Sequence, residues 1–582
     1  MNIRTKLILL ILVSVELLTV LHGLNRGFDI TDEGYYLLTY QNNYHGGAEL
    51  IKCHEIIKLL TFGNEPDIIE ARLLRLVLTL FSGIFFSLCF FHLMKRLNPG
   101  FSKNFNVATF IIISVTGILG SYSINPQAIS YNSLTLILSV IITALLLIFM
   151  ELTLNERSAI LKGGVLFIIG ILLGTLFFVK FTSAIALFVT TCIFIALLHK
   201  RFFKRTLLHC LIVLGSTIFT LSVYGLTNEN LRKFIFDIFN IAVGLVDSQS
   251  PSNTRGIFYQ ALIIGSTLLK LIASMIIGAG LCLVYLRLKE YKNLLKSGGK
   301  TSAWIVNLVF LLFSLIFIFS VFYIEVLDFN NFSLQIFIIV LTFFLTWSTE
   351  LSRYKEFVEN GKVTVLILFI LVPLSISFGT DVPYMRHLLI SLIFIFSIPF
   401  LFFNVNYTRV FGWLFISLSF LAAVFVFNNN YLNPYRMARI GNYTVSIEQN
   451  PVINERIKFQ PKEAEELLTL ADILVKHGYK RGDNLIAAYR IPGLVYLLGG
   501  TQPGGMLWGE QVEGLYLRNL SQEKPESLNR TIIITRKPLN KAFIKVLNDK
   551  GIKFPEDYKV YRNLSYGERE INTLTLYIPE GK

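Results

Sequence analysis

The chain has 582 residues, of which 53% are hydrophobic and only 16% are charged, and its formal net charge is +15. A soluble protein usually carries about 25% charged residues, and here apolar runs long enough for the ~30 Å hydrocarbon core of a bilayer recur along most of the chain. The composition therefore indicates a polytopic membrane protein. Lys and Arg fall mostly in short clusters between apolar runs, a pattern that argues against a nucleic-acid partner.

About 13 apolar runs meet the ~20-residue criterion for a membrane span. They cover residues 6–24, 73–94, 106–122, 132–150, 163–179, 183–198, 207–226, 257–286, 303–324, 333–348, 363–378, 387–403 and 410–427. An inner N-terminus puts the basic clusters, such as Lys204 and Arg205, in inner loops. We therefore expect a multi-pass protein of the plasma (inner) membrane, surrounded by membrane lipids, with a cytoplasmic N-terminus.

Residues 1–427 form the predicted transmembrane domain, and its first outer loop spans residues 25–72. In residues 428–582 charged residues return and no run is long enough to span. "PKEAEELLTLADILVKHGY" has the pattern of an amphipathic helix that starts at a proline, and "DNLIAAYR", "RTIIITR" and "INTLTLYIP" have the pattern of short strands. The odd number of spans predicts that this C-terminal region is a small extracytoplasmic α/β domain.

The first outer loop begins with an acidic stretch, "FDITDEGYYL", at residues 28–37. Asp29, Asp32 and Glu33 lie within five positions and are followed by Tyr35 and Tyr36. A solvated loop with aspartate as a turn residue is one explanation. The amphipathic "YLLTY" that follows favours a segment packed on the membrane domain, where its carboxylates would meet a membrane-anchored substrate.

The order of motifs resembles the GT-C superfamily of membrane glycosyltransferases, which includes the protein O-mannosyltransferases and the aminoarabinose transferase that modifies lipid A. A first span is followed by "TDEGYYLL", where the family carries an Asp-Glu pair and an aromatic residue. "RLLRLVLTLFSGIFFSLCFFHLMKRL" (72–97) is similar to its second span, and "GGVLFIIGILLGTLFFVKFTSAIALF" (163–188) to its G-x(n)-G-x-x-x-L-x-K-x-T/P stretch. The motifs cover residues 1–200, and the later chain matches by layout.

The resemblance implies a GT-C fold and an inverting transferase for a hexosyl or pentosyl group. The donor would be a polyprenyl-phosphate sugar, and the acceptor a lipid, glycan or protein on the extracytoplasmic face. One displacement needs one base, which takes the proton of the acceptor hydroxyl. By motif position Asp32 is the expected base, Glu33 positions the acceptor, the base or a metal, and Asp29 is the alternative base. Tyr35 and Tyr36 are expected to position the substrate.

The leaving phosphate gains negative charge, so cations near it stabilise the transition state. The candidates lie at the outer ends of predicted spans, where snorkelling to lipid headgroups is the alternative explanation for each cation. They are Lys180, Arg72, Arg75, Arg386 and His387.

Several alternatives stay open. No cofactor is certain. A divalent metal is an alternative because His45, His54 and Glu55 share the first outer loop, although they lack tight ligand spacing. The Gly-rich residues 489–510 either bind the acceptor or form a structural turn. The rival function is a transporter or flippase of lipid-linked sugars, for which Glu16 and Lys270 are the charges inside spans.

Overall fold

The computed structural model describes residues 3–41, 53–98, 100–124, 126–199, 202–227, 361–378, 390–402, 408–447, 450–453, 455–505, 513–564, 566 and 573–580. Up to residue 427 the described part is helical. Its helices are α1 (Ile3–Gly23), α2 (Asp32–Tyr40), α3 (Cys53–Leu60), α4 (Ile68–Leu97), α5 (Phe101–Asn104), α6 (Val107–Tyr122), α7 (Tyr131–Leu154), α8 (Ala159–Leu198), α9 (Phe203–Thr227), α10 (Lys362–Ser377), α11 (Leu392–Leu401) and α12 (Thr408–Phe427).

The long helices form a bundle with two chemically different ends. One end, which we call the loop end, carries residues 24–31 and 123–130. The other, which we call the basic end, carries Lys95 and Arg96, and Arg96 donates a hydrogen bond to the carbonyl of Leu154 at 3.1 Å. A large aromatic cluster around Phe90 and Phe400 fills the interior near the basic end.

The 40-residue helix α8 folds back at Lys180, whose φ of −157° and ψ of 92° are not helical. Before this point α8 runs parallel to α9, because Gly170, Gly174 and Phe178 contact Ser216, Thr220 and Tyr224 in that order. After it, His199 lies 2.9 Å from His209 near the start of α9. If α8 were straight, His199 would lie about 37 Å beyond Gly174 along the direction of α9, away from His209. Lys180 therefore stands at a hairpin between the two predicted spans 163–179 and 183–198.

The membrane character is supported, while the number of spans is not settled. Within the described residues, six helices are long and apolar enough to cross a bilayer, and three shorter apolar helices, α6, α10 and α11, accompany them. These segments correspond to predicted spans on both sides of the 228–360 gap. The predicted spans 257–286, 303–324 and 333–348, with Lys270, lie outside the described residues, so the total of about 13 is not confirmed.

The C-terminal region forms a four-stranded sheet with helices around it. It begins with a π-helical turn (Asn428–Leu432) and a 3-10 turn (Ile440–Asn442). Its other described elements are β1 (Val445–Ser446), β2 (Lys458–Phe459), α13 (Pro461–Lys476), β3 (Leu485–Ala488), α14 (Pro492–Leu497), α15 (Glu513–Leu520), α16 (Pro525–Leu528), β4 (Ile532–Thr535), α17 (Lys541–Asp549), β5 (Tyr558–Leu564) and β6 (Leu574–Pro579). The sheet order is β3-β4-β6-β5. In this sheet β3 and β4 pair in parallel, and β4 with β6 and β6 with β5 pair antiparallel. The predicted helix and the three predicted strands are confirmed.

The C-terminal region packs directly on α2 at the loop end. The backbone N–H of Gly493 in α14 donates to the carbonyl of Ile30 at 2.8 Å. A Cβ on Gly34 would lie 2.3 Å from Gly493 Cα, so two glycines are what lets the backbones touch. The Gly-rich stretch predicted either to bind an acceptor or to be structural thus supplies a docking contact through Gly493.

Candidate functional site

Helix α2 begins in the middle of the acidic stretch, and Asp29 caps it. Asp29 Oδ1 accepts hydrogen bonds from the backbone and hydroxyl of Thr31 at 2.9 and 2.5 Å, and Oδ2 accepts from the backbones of Asp32 and Glu33 at 3.1 and 3.3 Å. A carboxylate is well suited to this place because the first N–H groups of a helix lack partners within the helix. Asp29 therefore holds the turn that presents the next two acids.

The Asp29 side chain is buried, and its surroundings favour a proton on it. Burial, and then the nearby Asp32 carboxylate, raise the pKa of Asp29 to about 7. The hydrogen bonds from Thr31 and the charge of Arg436 act in the opposite direction. Asp29 thus titrates near neutral pH, and it is also the residue that accepts the hydrogen bonds at the start of α2.

Glu33 points into the protein and is bound by Arg72 of α4. Arg72 Nε donates to Glu33 Oε1 at 2.8 Å and Nη2 donates to Oε2 at 2.7 Å, and both side chains are completely buried. The backbone N–H of Ala128 adds a third bond to Oε1 at 2.9 Å. The remaining Arg72 donors go to the carbonyls of Gly23, Leu24, Arg26 and Gly27. Protein groups therefore take up the donors of Arg72, and the pair joins α1, α2 and α4.

Asp32 faces the opposite way and meets two side chains from the segment after α12. Tyr435 Oη donates to Asp32 Oδ2 at 2.5 Å, and Arg436 Nη1 donates to Oδ1 at 2.9 Å. The Asp32 side chain is 13% exposed and that of Arg436 is 31% exposed. This carboxylate is consequently partly accessible and sits beside a cation and a phenol. Burial and the charge of Asp32 raise the pKa of Tyr435 well above its usual value, so Tyr435 is a hydrogen-bond donor here.

Sequence analysis missed Tyr435 and Arg436. They lie in "NPYR" (433–436), directly after the last apolar helix. A cation at the end of a span was the signal used for the other phosphate candidates, and Arg436 carries the same signal. The predicted domain boundary at residue 428 places Arg436 in the C-terminal domain instead of at the end of a span.

The other predicted cations have different surroundings. Arg75 is buried, donates to the carbonyls of Pro126 and Tyr122, and its guanidinium carbon lies 3.9 Å from the centre of the Tyr122 ring. Lys180 is buried and its Nζ donates to the carbonyl of Ile376 at 2.7 Å. Arg386 and His387 lie outside the described residues. Asp32 and Arg436, by contrast, are an acid and a cation in contact that both stay partly accessible.

The two predicted substrate-positioning tyrosines are packed against each other. Their ring centres are 5.2 Å apart in an edge-to-face arrangement, and Tyr36 also lies 6.3 Å from the ring of Tyr131. Tyr36 is buried, whereas Tyr35 is partly exposed. Of the two, Tyr35 is the one that a ligand can reach without repacking.

For the metal alternative, the structure describes two of the three candidate ligands. His54 Nε2 lies 3.4 Å from Glu55 Oε1 on α3, and His45 falls outside the described residues. Among the described residues, no group of three or more His, Cys, Asp or Glu side chains is arranged to hold a metal ion.

Comparison with known proteins adds no identity to this geometry. No protein-family model matches the chain, and no curated protein matches it.

Proposed function

We propose that this protein is an integral-membrane inverting glycosyltransferase that moves a sugar from a polyprenyl-phosphate-linked donor to an acceptor. The site lies at the loop end of the bundle, on the extracytoplasmic face, and the basic end faces the cytoplasm. The observation that carries the proposal is that the three acidic residues of this stretch have different surroundings. Asp29 caps a helix, Glu33 is locked to Arg72, and Asp32 is left partly accessible beside Arg436.

In this reaction Asp32 takes the proton of the acceptor hydroxyl as the acceptor oxygen attacks the anomeric carbon. The bond from that carbon to the phosphate oxygen breaks, and the prenyl phosphate leaves with the electron pair. A single displacement inverts the anomeric carbon and needs no second carboxylate as a nucleophile. Arg72 and Glu33 contribute by fixing the start of α2, which sets the direction of Asp32.

The test is sugar transfer by the purified chain in lipid nanodiscs, supplied with a panel of labelled prenyl-phosphate sugars and envelope-lipid acceptors. We expect Asp32→Asn to lower kcat by about 10²- to 10⁴-fold, which is the usual contribution of a general base. Asp472→Asn, at an exposed aspartate of α13, is the matched control and should keep full activity. Transfer that survives in Asp32→Asn would remove Asp32 from the role of base.

One observation favours the rival transport function. Glu16 lies inside α1, is fully buried, and neither of its carboxylate oxygens has a hydrogen-bond partner among the residues that the structure describes. An ionisable group inside a membrane helix often marks a transport pathway. Two results together would favour transport over catalysis. The wild-type chain would move lipid-linked sugar across vesicle membranes without transferring it, and Glu16→Gln would stop this movement.

A further inference from the structure

We infer that Arg436 exchanges anions during the reaction, holding the Asp32 carboxylate before transfer and the phosphate of the leaving group after it. This inference rests on the proposed transferase function and adds to it a specific ligand for the phosphate. The proposed ligand is a prenyl phosphate monoester, which is what remains of the donor after the sugar has been transferred.

The starting state of the exchange is the observed contact. Arg436 Nη1 lies 2.9 Å from Asp32 Oδ1 and 2.6 Å from Thr31 Oγ1. In this state the guanidinium covers the carboxylate oxygen Oδ1 of Asp32. Movement of the guanidinium away from Asp32 therefore uncovers an oxygen that the acceptor hydroxyl must reach to lose its proton.

The position of Arg436 allows such movement. Its side chain is 31% exposed, in contrast to Arg72, which is completely buried with its donors bound to the protein. Arg436 also has a φ of +53°, in the left-handed region that arginine seldom adopts. Strained backbone of this kind persists where the surrounding structure holds it and is often found at functional sites. In Arg436 this backbone occurs at the residue whose guanidinium contacts Asp32.

The charges change in the direction that the exchange requires. The donor is a phosphodiester with one negative charge, and Asp32 carries another. After transfer, Asp32 holds the acceptor's proton and is neutral, while the prenyl phosphate carries two negative charges. The total charge is unchanged, but the best partner for a guanidinium has moved from Asp32 to the phosphate. Arginine suits this role because its fork of donors matches both carboxylate and phosphate oxygens.

Nearby Arg439 provides a matched control. It lies three residues further along the same segment, is also exposed, and its guanidinium carbon lies 5.3 Å from the centre of the Tyr431 ring. Arg439→Gln removes one positive charge from the same surface without touching Asp32. A general electrostatic attraction for an anionic lipid would weaken equally in the two glutamine variants.

The experiment measures binding of geranylgeranyl phosphate to the full-length chain in nanodiscs, with geranylgeraniol as the ligand that lacks phosphate. We expect Arg436→Gln to weaken binding of the phosphate about tenfold, in line with the loss of a charge-assisted hydrogen bond. Arg439→Gln should stay within about twofold, and Arg436→Lys should recover part of the loss by restoring the charge. Equal losses in Arg436→Gln and Arg439→Gln would overturn the inference.

A double-variant cycle tests the exchange itself. Asp32→Asn should bind geranylgeranyl phosphate several-fold more tightly than the wild-type chain, because the Asp32 carboxylate no longer competes with the phosphate for Arg436. In Asp32→Asn with Arg436→Gln that gain should disappear. A gain that persists in the double variant would come from relief of repulsion by Asp32 alone and would refute the exchange.

The two proposals can fail separately. If the wild-type chain transfers sugar but Arg436→Gln and Arg439→Gln bind the phosphate equally well, the role of Arg436 is refuted. The transferase proposal is then kept. If the variants show the expected binding pattern but the chain transfers sugar from no prenyl-phosphate donor, the transferase proposal is refuted. Arg436 is then supported as a residue that binds prenyl phosphate. In an active chain, Arg436→Gln should lower kcat more than it raises the KM for donor, since the second phosphate charge develops during bond breaking.

Discussion

Arg72 holds Glu33 by two parallel hydrogen bonds of 2.8 and 2.7 Å, in a position where neither side chain reaches solvent. The two residues are 39 positions apart and belong to α4 and α2. Because of this contact, the two adjacent acids Asp32 and Glu33 face in different directions, one into the protein and one toward its surface. Glu33 becomes part of the core, and Asp32 stays at the surface of the site.

The first prediction concerns this buried pair. Glu33→Gln or Arg72→Met should lower the free energy of unfolding by about 3–5 kcal/mol, because each leaves an uncompensated charge or an unpaired guanidinium in the core. The measurement is the unfolding midpoint in detergent. Lys462→Met, which breaks an exposed contact of 3.9 Å with Glu466, is the control and should change stability by less than about 0.5 kcal/mol. Loss of activity without loss of stability in Glu33→Gln would instead give Glu33 a direct chemical role.

The second prediction concerns the docking of the C-terminal region. Gly34→Ala should destabilise the protein by about 1–3 kcal/mol or more, since the new methyl group would overlap the backbone of Gly493. Gly514→Ala is the control, because it adds a methyl group to an exposed helical position that has no described atom within 4 Å. Faster proteolysis of the C-terminal region in Gly34→Ala than in Gly514→Ala would report undocking. Equal proteolysis and equal stability would show that the backbone contact is dispensable.

The sequence predicted those elements whose pattern is local. The strands at 485–488 and 532–535 are short apolar runs, and helix 461–476 has an apolar stripe and starts at a proline. Strand β5 was missed because its "YKVYRNL" places charged and polar residues among the apolar ones. An edge strand of this composition carries little period-two signal.

The site was predictable in position but not in detail. The acidic stretch could be assigned to the first loop, since its distance from the first apolar run is fixed by the chain. Which acid faces inward depends on Arg72, and which faces outward depends on Tyr435 and Arg436, more than 400 residues away. Contacts over such separations leave no periodic pattern in one sequence, so the roles of Asp29, Asp32 and Glu33 could only be ranked by motif.

The third prediction concerns Lys180, which is both a phosphate candidate and part of the hairpin in α8. Its Nζ donates to the carbonyl of Ile376, and Lys180→Met should lower stability by about 1.5–3 kcal/mol, the value of a hydrogen bond to a charged group. Thr182→Val is the control, because it removes a neutral hydrogen bond of 2.9 Å to the carbonyl of Phe378 at the same hairpin. We expect neither variant to change geranylgeranyl phosphate binding by more than about twofold. A larger loss of binding in Lys180→Met alone would place Lys180 at the phosphate.

The fourth prediction follows from the pKa of Asp29, which burial and the charge of Asp32 raise to about 7 from an ordinary value of 3.8. Between these values the folded chain holds a proton on Asp29 that the unfolded chain has released, so the contribution of Asp29 to stability is greatest below about pH 4 and falls as the pH rises toward 7. The slope from this group has an upper limit of about 1.4 kcal/mol per pH unit. The charge of Asp32 raises the pKa of Asp29 and that of Arg436 lowers it, and the Asp29 backbone N–H donates to Glu33 Oε2 at 3.3 Å.

Asp29→Asn should remove this part of the pH dependence, because its amide does not titrate. Its baseline stability should also fall by about 1 kcal/mol, since the amide nitrogen cannot accept the bonds from the start of α2. The comparison is therefore between slopes of the unfolding midpoint from pH 4 to 8, and not between absolute values. Asp549→Asn, at an exposed aspartate that ends α17, is the control and should keep the wild-type slope. Equal slopes in all three proteins would mean that Asp29 stays ionised in the folded chain, with its four hydrogen bonds outweighing burial.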